Sequence, residues 1–408
     1  MSVLPADRSE LFGTTDSRPH ILVGVTSAQT CILLPARSQA LMDAGFRVSI
    51  VSGPGAMSAG AKSVRGVSTH VLPMEREIAG VRDLIAFCRL LRLLNRIKPD
   101  IVEFSTPKAG LLGIVAAWIH RVPVRVYFLR GLRVETCSGL MRMILLWSER
   151  LAAACSHVVV ANSKSLGRRA HELGISNEKK TRTLGEGSSN GVDALRFSPG
   201  ESGVREEWGI PASARVIGFV GRLTVDKGVP ELLEAFAKIL RRQPDCYLLL
   251  VGWFDAASDA LGRGLRERIE GHPRIVCTGY VADAAPYYRA MDVMVLPSWR
   301  EGFPNVVLEA AASGVPAVAT TCTGSCDAVV PEVTGLLVPP GYADAIAEAV
   351  LRLLGDEDLR AKMGEAARKW AVEHFEQQRV LRMTVLFYEE LLRGRNRSPS
   401  TKIEALTE

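Results

Sequence analysis

The chain has 408 residues, 47% hydrophobic and 23% charged. This ordinary globular balance excludes collagen-like, disulfide-scaffold and wholly disordered chains. The net charge of +6 joins two unlike halves: residues 1–200 carry 26 Lys+Arg against 15 Asp+Glu, and residues 201–408 carry 24 against 29. A basic half joined to an acidic half argues for two domains with different partners, and it leaves nucleic acid, an anionic membrane surface and an anionic substrate open for the basic half.

Residues 1–17 are polar and include Asp7, Glu10 and Asp16. They read as a disordered N-terminus, unlike the basic lead of a signal peptide. Thr26, Ser27, Gln29 and Thr30 interrupt the apolar run that starts at His20, and no stretch reaches the ~20 unbroken apolar residues needed to span a bilayer. The expected location is cytoplasmic, with the inner face of the plasma membrane as a surface the protein can rest on. Among the eight cysteines there is no CxxC pair, and Cys322 and Cys326 have no second ligand cluster nearby. Reduced thiols and no metal site are expected.

Short strands that are β-branched or apolar on both faces are expected at 20–26, 47–52, 100–104, 122–128 and 157–161. Helical patterns at 34–44, 81–97, 108–120, 140–154 and 164–173 alternate with them. A stretch rich in Gly, Ser, Asn and Pro over 185–202 breaks the series. Strands at 215–220, 246–251, 274–278, 292–297 and 316–320 follow, with helices at 229–242, 259–270, 284–290, 304–313 and 342–355, then two helices over 357–393. Strand–helix alternation of this kind predicts an α/β chain with two doubly wound parallel-sheet domains facing a central cleft. The expected division is an N-terminal acceptor domain at 18–195, a linker at 196–212, a nucleotide-binding domain at 213–375, a C-terminal helix at 376–395 that packs back on the first domain, and a tail at 396–408. Ligands of open α/β sheets bind at the carboxyl ends of strands, so motifs there outrank others.

The segment from Gly55 to Ser63 resembles a phosphate loop, but Ala61 stands where that loop needs glycine directly before its lysine, Lys62. It reads as a plain loop. In Gly221-Arg222-Leu-Thr-Val-Asp-Lys227-Gly228 a strand delivers Gly221 and Arg222 to its end. Lys227 precedes a helix whose start Pro230 marks. Two cations at a helix N-terminus suit a diphosphate. In Glu301-Gly302-Phe303-Pro304-Asn305 the proline fits the first helical position, and Glu309 follows within an apolar run where a buried carboxylate needs a partner. At ~1.5 Å per residue, Glu301 and Glu309 lie very roughly 8 Å apart along the axis, suited to two hydroxyl-bearing rings of one ligand.

These segments resemble the retaining GT-B glycosyltransferases of family 4. The resemblance implies that Arg222 and Lys227 bind the donor diphosphate, Glu301 the donor sugar and Glu309 the ribose. It implies too that Gly221, Asn305 and the backbone of Gly302, Phe303 and Pro304 cradle sugar and phosphate, and that Tyr280 and Val281 hold the base. In the first half, Thr106-Pro-Lys108-Ala-Gly110, Arg130-Gly131-Leu-Arg133 and Gly187-Ser188-Ser189-Asn190-Gly191 are similar to the CapM-like subgroup. That likeness implies transfer of a sugar, often an N-acetylhexosamine, from a UDP donor to a polyprenyl-diphosphate-linked acceptor. Lys108, Arg130, Ser27 and Asn190 are the acceptor-side candidates. The chain departs from the family in having no glycine pair in its first loop and Leu129-Arg130-Gly131 where many members have a histidine. Arg130 stays protonated and cannot act as a base.

No metal is implied. The one Asp-x-Asp, Asp356-Glu357-Asp358, falls between late helices and reads as a solvated helix start. The basic clusters at Arg89–Lys98 and around Arg142 and Arg150 suit an anionic lipid surface or a solvated helix face equally, and no nucleic-acid module is recognisable. A small-molecule or natural-product acceptor, a sugar-nucleotide epimerase and a phosphorylase stand as alternatives on the same fold.

Overall fold

The computed structural model describes residues 18–26, 34–54, 64–74, 80–255 and 260–396. In chain order the first half comprises β1 (His20–Gly24), α1 (Pro35–Asp43), β2 (Arg47–Ser52), β3 (Ser68–Val71), α2 (Val81–Ile97), β4 (Ile101–Ser105), α3 (Pro107–Ile119), β5 (Val124–Leu129), α4 (Gly139–Cys155), β6 (Val158–Ala161), α5 (Lys164–Glu172) and β7 (Thr181–Arg182). The second comprises α6 (Val204–Glu207), β8 (Arg215–Val220), α7 (Val229–Arg242), β9 (Cys246–Val251), α8 (Arg263–Gly271), β10 (Ile275–Cys277), α9 (Ala285–Arg289), β11 (Val293–Leu296), α10 (Asn305–Ala312), β12 (Ala317–Thr320), β13 (Gly335–Val338), α11 (Ala343–Gly355), α12 (Glu357–Phe375) and α13 (Gln377–Asn396).

The first sheet runs β3-β2-β1-β4-β5-β6-β7 and the second β10-β9-β8-β11-β12-β13. All the strand pairings are parallel. This is the expected pair of doubly wound α/β domains. Each sheet reverses its winding once, between β1 and β4 and between β8 and β11, and a crevice opens there at the strand ends. Helices cover both faces, so the central strands are buried on both sides; Ile21, Leu22, Val102, Phe104, Ile217, Phe219, Val293 and Val295 are closed to solvent.

β2, β8 and β9 have the bounds expected from the sequence, the other expected strands differ by one or two residues at one or both ends, and β3, β7 and β13 were not foreseen. β7 has only two residues, and β3 is a short, polar edge strand without an apolar run. The helix expected at 259–270 begins at Arg263; Asp259, like the Gly55–Ser63 loop, residues 1–17 and the tail beyond 396, lies outside the described residues. Pro304 caps α10 from an extended backbone rather than occupying its first turn. Asp356 caps α12, its carboxylate accepting from the Leu359 amide at 2.9 Å, which accounts for the Asp-x-Asp as a helix start. The seven described cysteines are free thiols.

In the core of the first domain an ionisable pair joins α4 to β5. Glu149 of α4, 2% exposed, accepts a hydrogen bond from Tyr127 of β5. Burial pushes its carboxyl up to about 7 from an ordinary 4.5. A raised folded-state value means the group favours the fold fully below the ordinary carboxyl pKa and loses that contribution as pH rises through about 7. The shift corresponds to roughly 3 kcal/mol. The melting temperature of the first domain should therefore fall between pH 4.5 and 8, and Glu149→Gln should flatten that slope; a variant with the wild-type slope would refute the assignment.

α13 returns to the first domain. Its Tyr388 is buried against Arg37 of α1 and Glu103 of β4, with Arg37 Nη1 donating to Glu103 Oε1 at 2.9 Å. A second crossing joins the halves beside it: the Val192 amide donates to the Phe375 carbonyl at 2.7 Å, and the Gln377 amide to the Val192 carbonyl at 3.0 Å.

Candidate active site

The carboxyl ends of the two sheets face each other, and loops from both meet. Thr323 Oγ1 donates to Glu135 Oε1 at 2.7 Å, the Gly324 amide to Ser165 Oγ at 2.8 Å, and the Ser165 amide to Asp327 Oδ2 at 2.9 Å. Arg300 Nε reaches Thr136 Oγ1 at 3.0 Å, and Ser188 Oγ donates to Asn305 Oδ1 at 3.2 Å. The closest approach is backbone on backbone. A Cβ built on Gly302 would stand 2.1 Å from the Arg130 carbonyl oxygen, and one on Gly324, at φ +83°, would stand 2.6 Å from the Gly302 carbonyl oxygen. Gly302→Ala should displace the 301–305 loop by about an ångström and lower turnover on the order of 100-fold. Steady-state kinetics beside an unchanged melting temperature is the check; near-wild-type turnover would show that the loop can shift freely.

At the winding reversal of the second sheet, β8 leads to Gly221-Arg222 and β11 to Ser298–Glu301. Lys227 Nζ lies 2.6 Å from Glu301 Oε1, which also accepts from Ser298 Oγ at 2.8 Å. The pair comes from two strand–helix loops 74 residues apart in sequence. The Glu301 amide donates to the Thr323 carbonyl at 3.1 Å, which holds the loop to the end of β12. Arg222 Nη1 pairs with Asp255 Oδ2 at 2.6 Å, a partner from the loop after β9. Beside them α10 begins at Asn305, so its leading amides have no partners within the helix.

One turn on, Glu309 is half-buried and accepts from Tyr288 Oη of α9 at 2.7 Å. Burial raises its carboxyl pKa, opposed by that hydrogen bond. Tyr288, fully buried against Phe197, is thus the partner the buried carboxylate required. Tyr280 is 63% exposed and stands edge-on to Trp253, centroids 5.6 Å apart, and Val281 packs beside it on the second core. Phe303 is buried and packs on Phe375 at 5.2 Å.

Across the cleft, Arg130 stacks on Phe128 at 4.7 Å and donates to Ser189 Oγ at 2.7 Å. Burial lowers its guanidinium to about 10, so it stays charged at neutral pH. Asn190 is 7% exposed, and neither atom of its amide finds a partner among the described residues. Lys108 is tied to Asp83 at 2.7 Å. Ser27 lies outside the described residues; the neighbouring Thr26 meets Thr106 at 2.9 Å between their hydroxyls, at the reversal point of the first sheet. Asp255, Tyr288 and Trp253 were missed from sequence, because each is recognisable only by the neighbour it touches.

Two family models cover most of this frame: "Glycosyl transferase 4-like domain" matches residues 37–184 and "Glycosyl transferases group 1" matches residues 214–356. The chain belongs to the group 1 glycosyltransferases. This glycosyltransferase is 35% identical over 355 residues to the capsular polysaccharide biosynthesis glycosyltransferase CapM of Staphylococcus aureus, spanning 87% of this chain and 92% of that one. It is 28% identical over 291 residues to an Escherichia coli enzyme named UDP-Gal:α-D-GlcNAc-diphosphoundecaprenol α-1,3-galactosyltransferase, spanning 70% and 74% of the two chains. Its GT-B fold is shared with sucrose-phosphate synthase of Thermosynechococcus elongatus, with a TM-score of 0.76 at 23% identity over 92% of this chain and all of that one. Anabaena HepE in complex with UDP matches with a TM-score of 0.70 at 21% identity, again over 92% of this chain and all of that one. Among the described residues no cluster of three metal-ligating side chains occurs, and no helix is long and apolar enough to cross a membrane.

Proposed function

We propose that the chain is a retaining glycosyltransferase that moves a sugar from a UDP-sugar to a hydroxyl of a polyprenyl-diphosphate-linked saccharide, in capsule, O-antigen or related glycan biosynthesis. An N-acetylhexosamine is the sugar that the subgroup resemblance favours. The observation that carries the reading is the Lys227–Glu301 pair at 2.6 Å, set at the winding reversal between Arg222 and the N-terminus of α10. The E. coli relative, named for a UDP-sugar donor and a diphosphoundecaprenol acceptor, and the UDP complex of HepE support the choice of substrates.

In this reading the acceptor hydroxyl attacks the anomeric carbon on the face that the diphosphate leaves. The bond from that carbon to the β-phosphate oxygen breaks, and its electron pair passes to the oxygen, which also takes the hydroxyl proton. The new glycosidic bond forms on the same face, so configuration is kept. Arg222, Lys227 and the opening amides of α10 neutralise the charge growing on the diphosphate, in place at the outset and without reorganisation. Glu301 orients the sugar and faces its oxocarbenium character, Glu309 holds the ribose hydroxyls, and Tyr280 with Trp253 flanks the base. Gly221, Phe303, Pro304 and Asn305 shape the backbone around the donor. Arg130 and Asn190 are assigned to the acceptor side, Arg130 as a fixed cation for a phosphate.

The outer face of α4, where Leu140, Met143 and Trp147 are exposed near Arg142 and Arg150, suits peripheral contact with lipid. The experiment is a panel of UDP-sugars with a lipid-diphosphate-linked acceptor, the product's anomeric configuration read by proton coupling. A product with the donor's configuration is expected. An inverted anomer, or conversion of the donor without any acceptor as an epimerase would give, overturns the reading.

A further inference from the structure

Away from the cleft, on the outer edge of the first domain, β3 and α2 enclose a groove of about 420 Å³. Its walls include Thr69, His70, Leu72, Arg89, Arg92 and Arg96. The three arginines recur at the spacing that places them on one helix face. All three are exposed. Several other surface arginines are answered by carboxylates: Arg242 by Glu348, Arg266 by Glu270, Arg352 by Glu332. Among the described residues Arg89, Arg92 and Arg96 have no such partner, and the one acid of α2, Asp83, is held by Lys108 near the other end of the helix.

Like charges at these spacings destabilise a helix by a few tenths of a kcal/mol per pair, roughly. Among the described residues no ion pair offsets that cost. The groove also holds an unmet polar atom: His70 Nε2 is buried and makes no hydrogen bond among the described residues. Burial, and after it the charge of Arg96, lower the pKa of His70, so a neutral imidazole lines the cations. Three guanidiniums supply planar, multiply donating contacts that match phosphate oxygens, and an imidazole N–H adds one more donor.

We propose that this groove is a phosphate-binding site, separate from the donor cleft, that takes a diphosphate or phosphodiester group. The assignment does not depend on the proposed transfer reaction. The same chemistry is offered by a soluble diphosphate and by the headgroup of an anionic phospholipid, and the test separates them.

Binding of inorganic diphosphate is measured by calorimetry at low salt with excess UDP present, and binding of phosphatidylcholine vesicles with and without phosphatidylglycerol by sedimentation. Both are run on the wild type and on Arg89→Gln/Arg92→Gln/Arg96→Gln. The readout is the difference between the two proteins at the groove, so it stands whether or not UDP fills the cleft. The variant is expected to bind on the order of tenfold more weakly or worse, with a melting temperature equal to or slightly above that of the wild type and with salt weakening the wild type. Diphosphate binding alone assigns a soluble ligand, and vesicle binding alone assigns the lipid headgroup. A wild type that binds neither probe, or a variant that binds as tightly as the wild type, overturns the proposal. Should the triple variant lose its fold, Arg92→Gln alone must still weaken binding.

Discussion

Lys227→Ala is expected to lower kcat on the order of 10²- to 10³-fold, with a smaller effect on KM. Lys227 stands 2.6 Å from Glu301 in the unliganded chain, so its charge is already fixed beside the position assigned to the departing diphosphate. Removing it withdraws a cation that matters most when the β-phosphate oxygen gains charge, which is why the loss should fall on turnover rather than on donor affinity. The substitution also frees Glu301, which keeps Ser298 Oγ at 2.8 Å as a partner, so the loop itself should stay in place. Lys227→Arg, which keeps the charge, should recover part of the loss. Steady-state kinetics on the three proteins decides the matter: kcat for Lys227→Ala within about tenfold of wild type would remove Lys227 from the chemistry.

Arg37→Leu should produce the largest change in stability. Glu103 is closed to solvent; Arg37, 2% exposed, neutralises it, the hydroxyl of Tyr388 donates to it, and Arg130 lies farther off at 3.9 Å. Deleting one member of a buried ion pair strands the other as an uncompensated charge, at a cost of about 3–5 kcal/mol. For a domain of this size that is roughly 10 °C in the melting temperature of the first domain. The double variant Arg37→Leu/Glu103→Leu should recover most of the loss, because an apolar pair of similar volume needs no compensation. Calorimetric unfolding of both variants is the check; equal destabilisation in the two would show that packing around Tyr388, and not charge, holds this corner.

The strand–helix alternation was legible because central strands buried on both faces read as unbroken apolar runs. Arg215–Val220, Cys246–Val251 and the helix Val81–Ile97 have the bounds that the sequence pattern gives. β3 was not legible, since Ser68–Val71 is polar at three of its four positions and lies at a sheet edge where nothing demands an apolar run. The candidate site divides in the same way. Lys227, Glu301 and Arg222 could be placed together because each lies at the carboxyl end of a recognisable strand. Lys108 was an acceptor-side candidate by resemblance, and only the packing of α2 beside α3 shows it held by Asp83. Tyr288 gave no signal because it belongs to a five-residue helix, and its link to Glu309 is made in space across 21 residues of sequence. Buried charges were the least legible of all: Glu103 lies in the middle of an apolar strand, and Arg37 and Tyr388, which answer it, lie 66 residues before it and 285 after it.

The chain passes between the two domains twice, and the two passages are stitched to each other by hydrogen bonds between Val192 and the Phe375–Gln377 junction. Two covalent threads bound side by side act as a door hinge. Widening of the cleft becomes a rotation about that point rather than a parting of the halves. Displacement then grows with distance from it, so Gly191, Val192 and Glu376 mark the axis along which a rigid brace or an inserted side chain would set how far the enzyme opens to admit donor and release product.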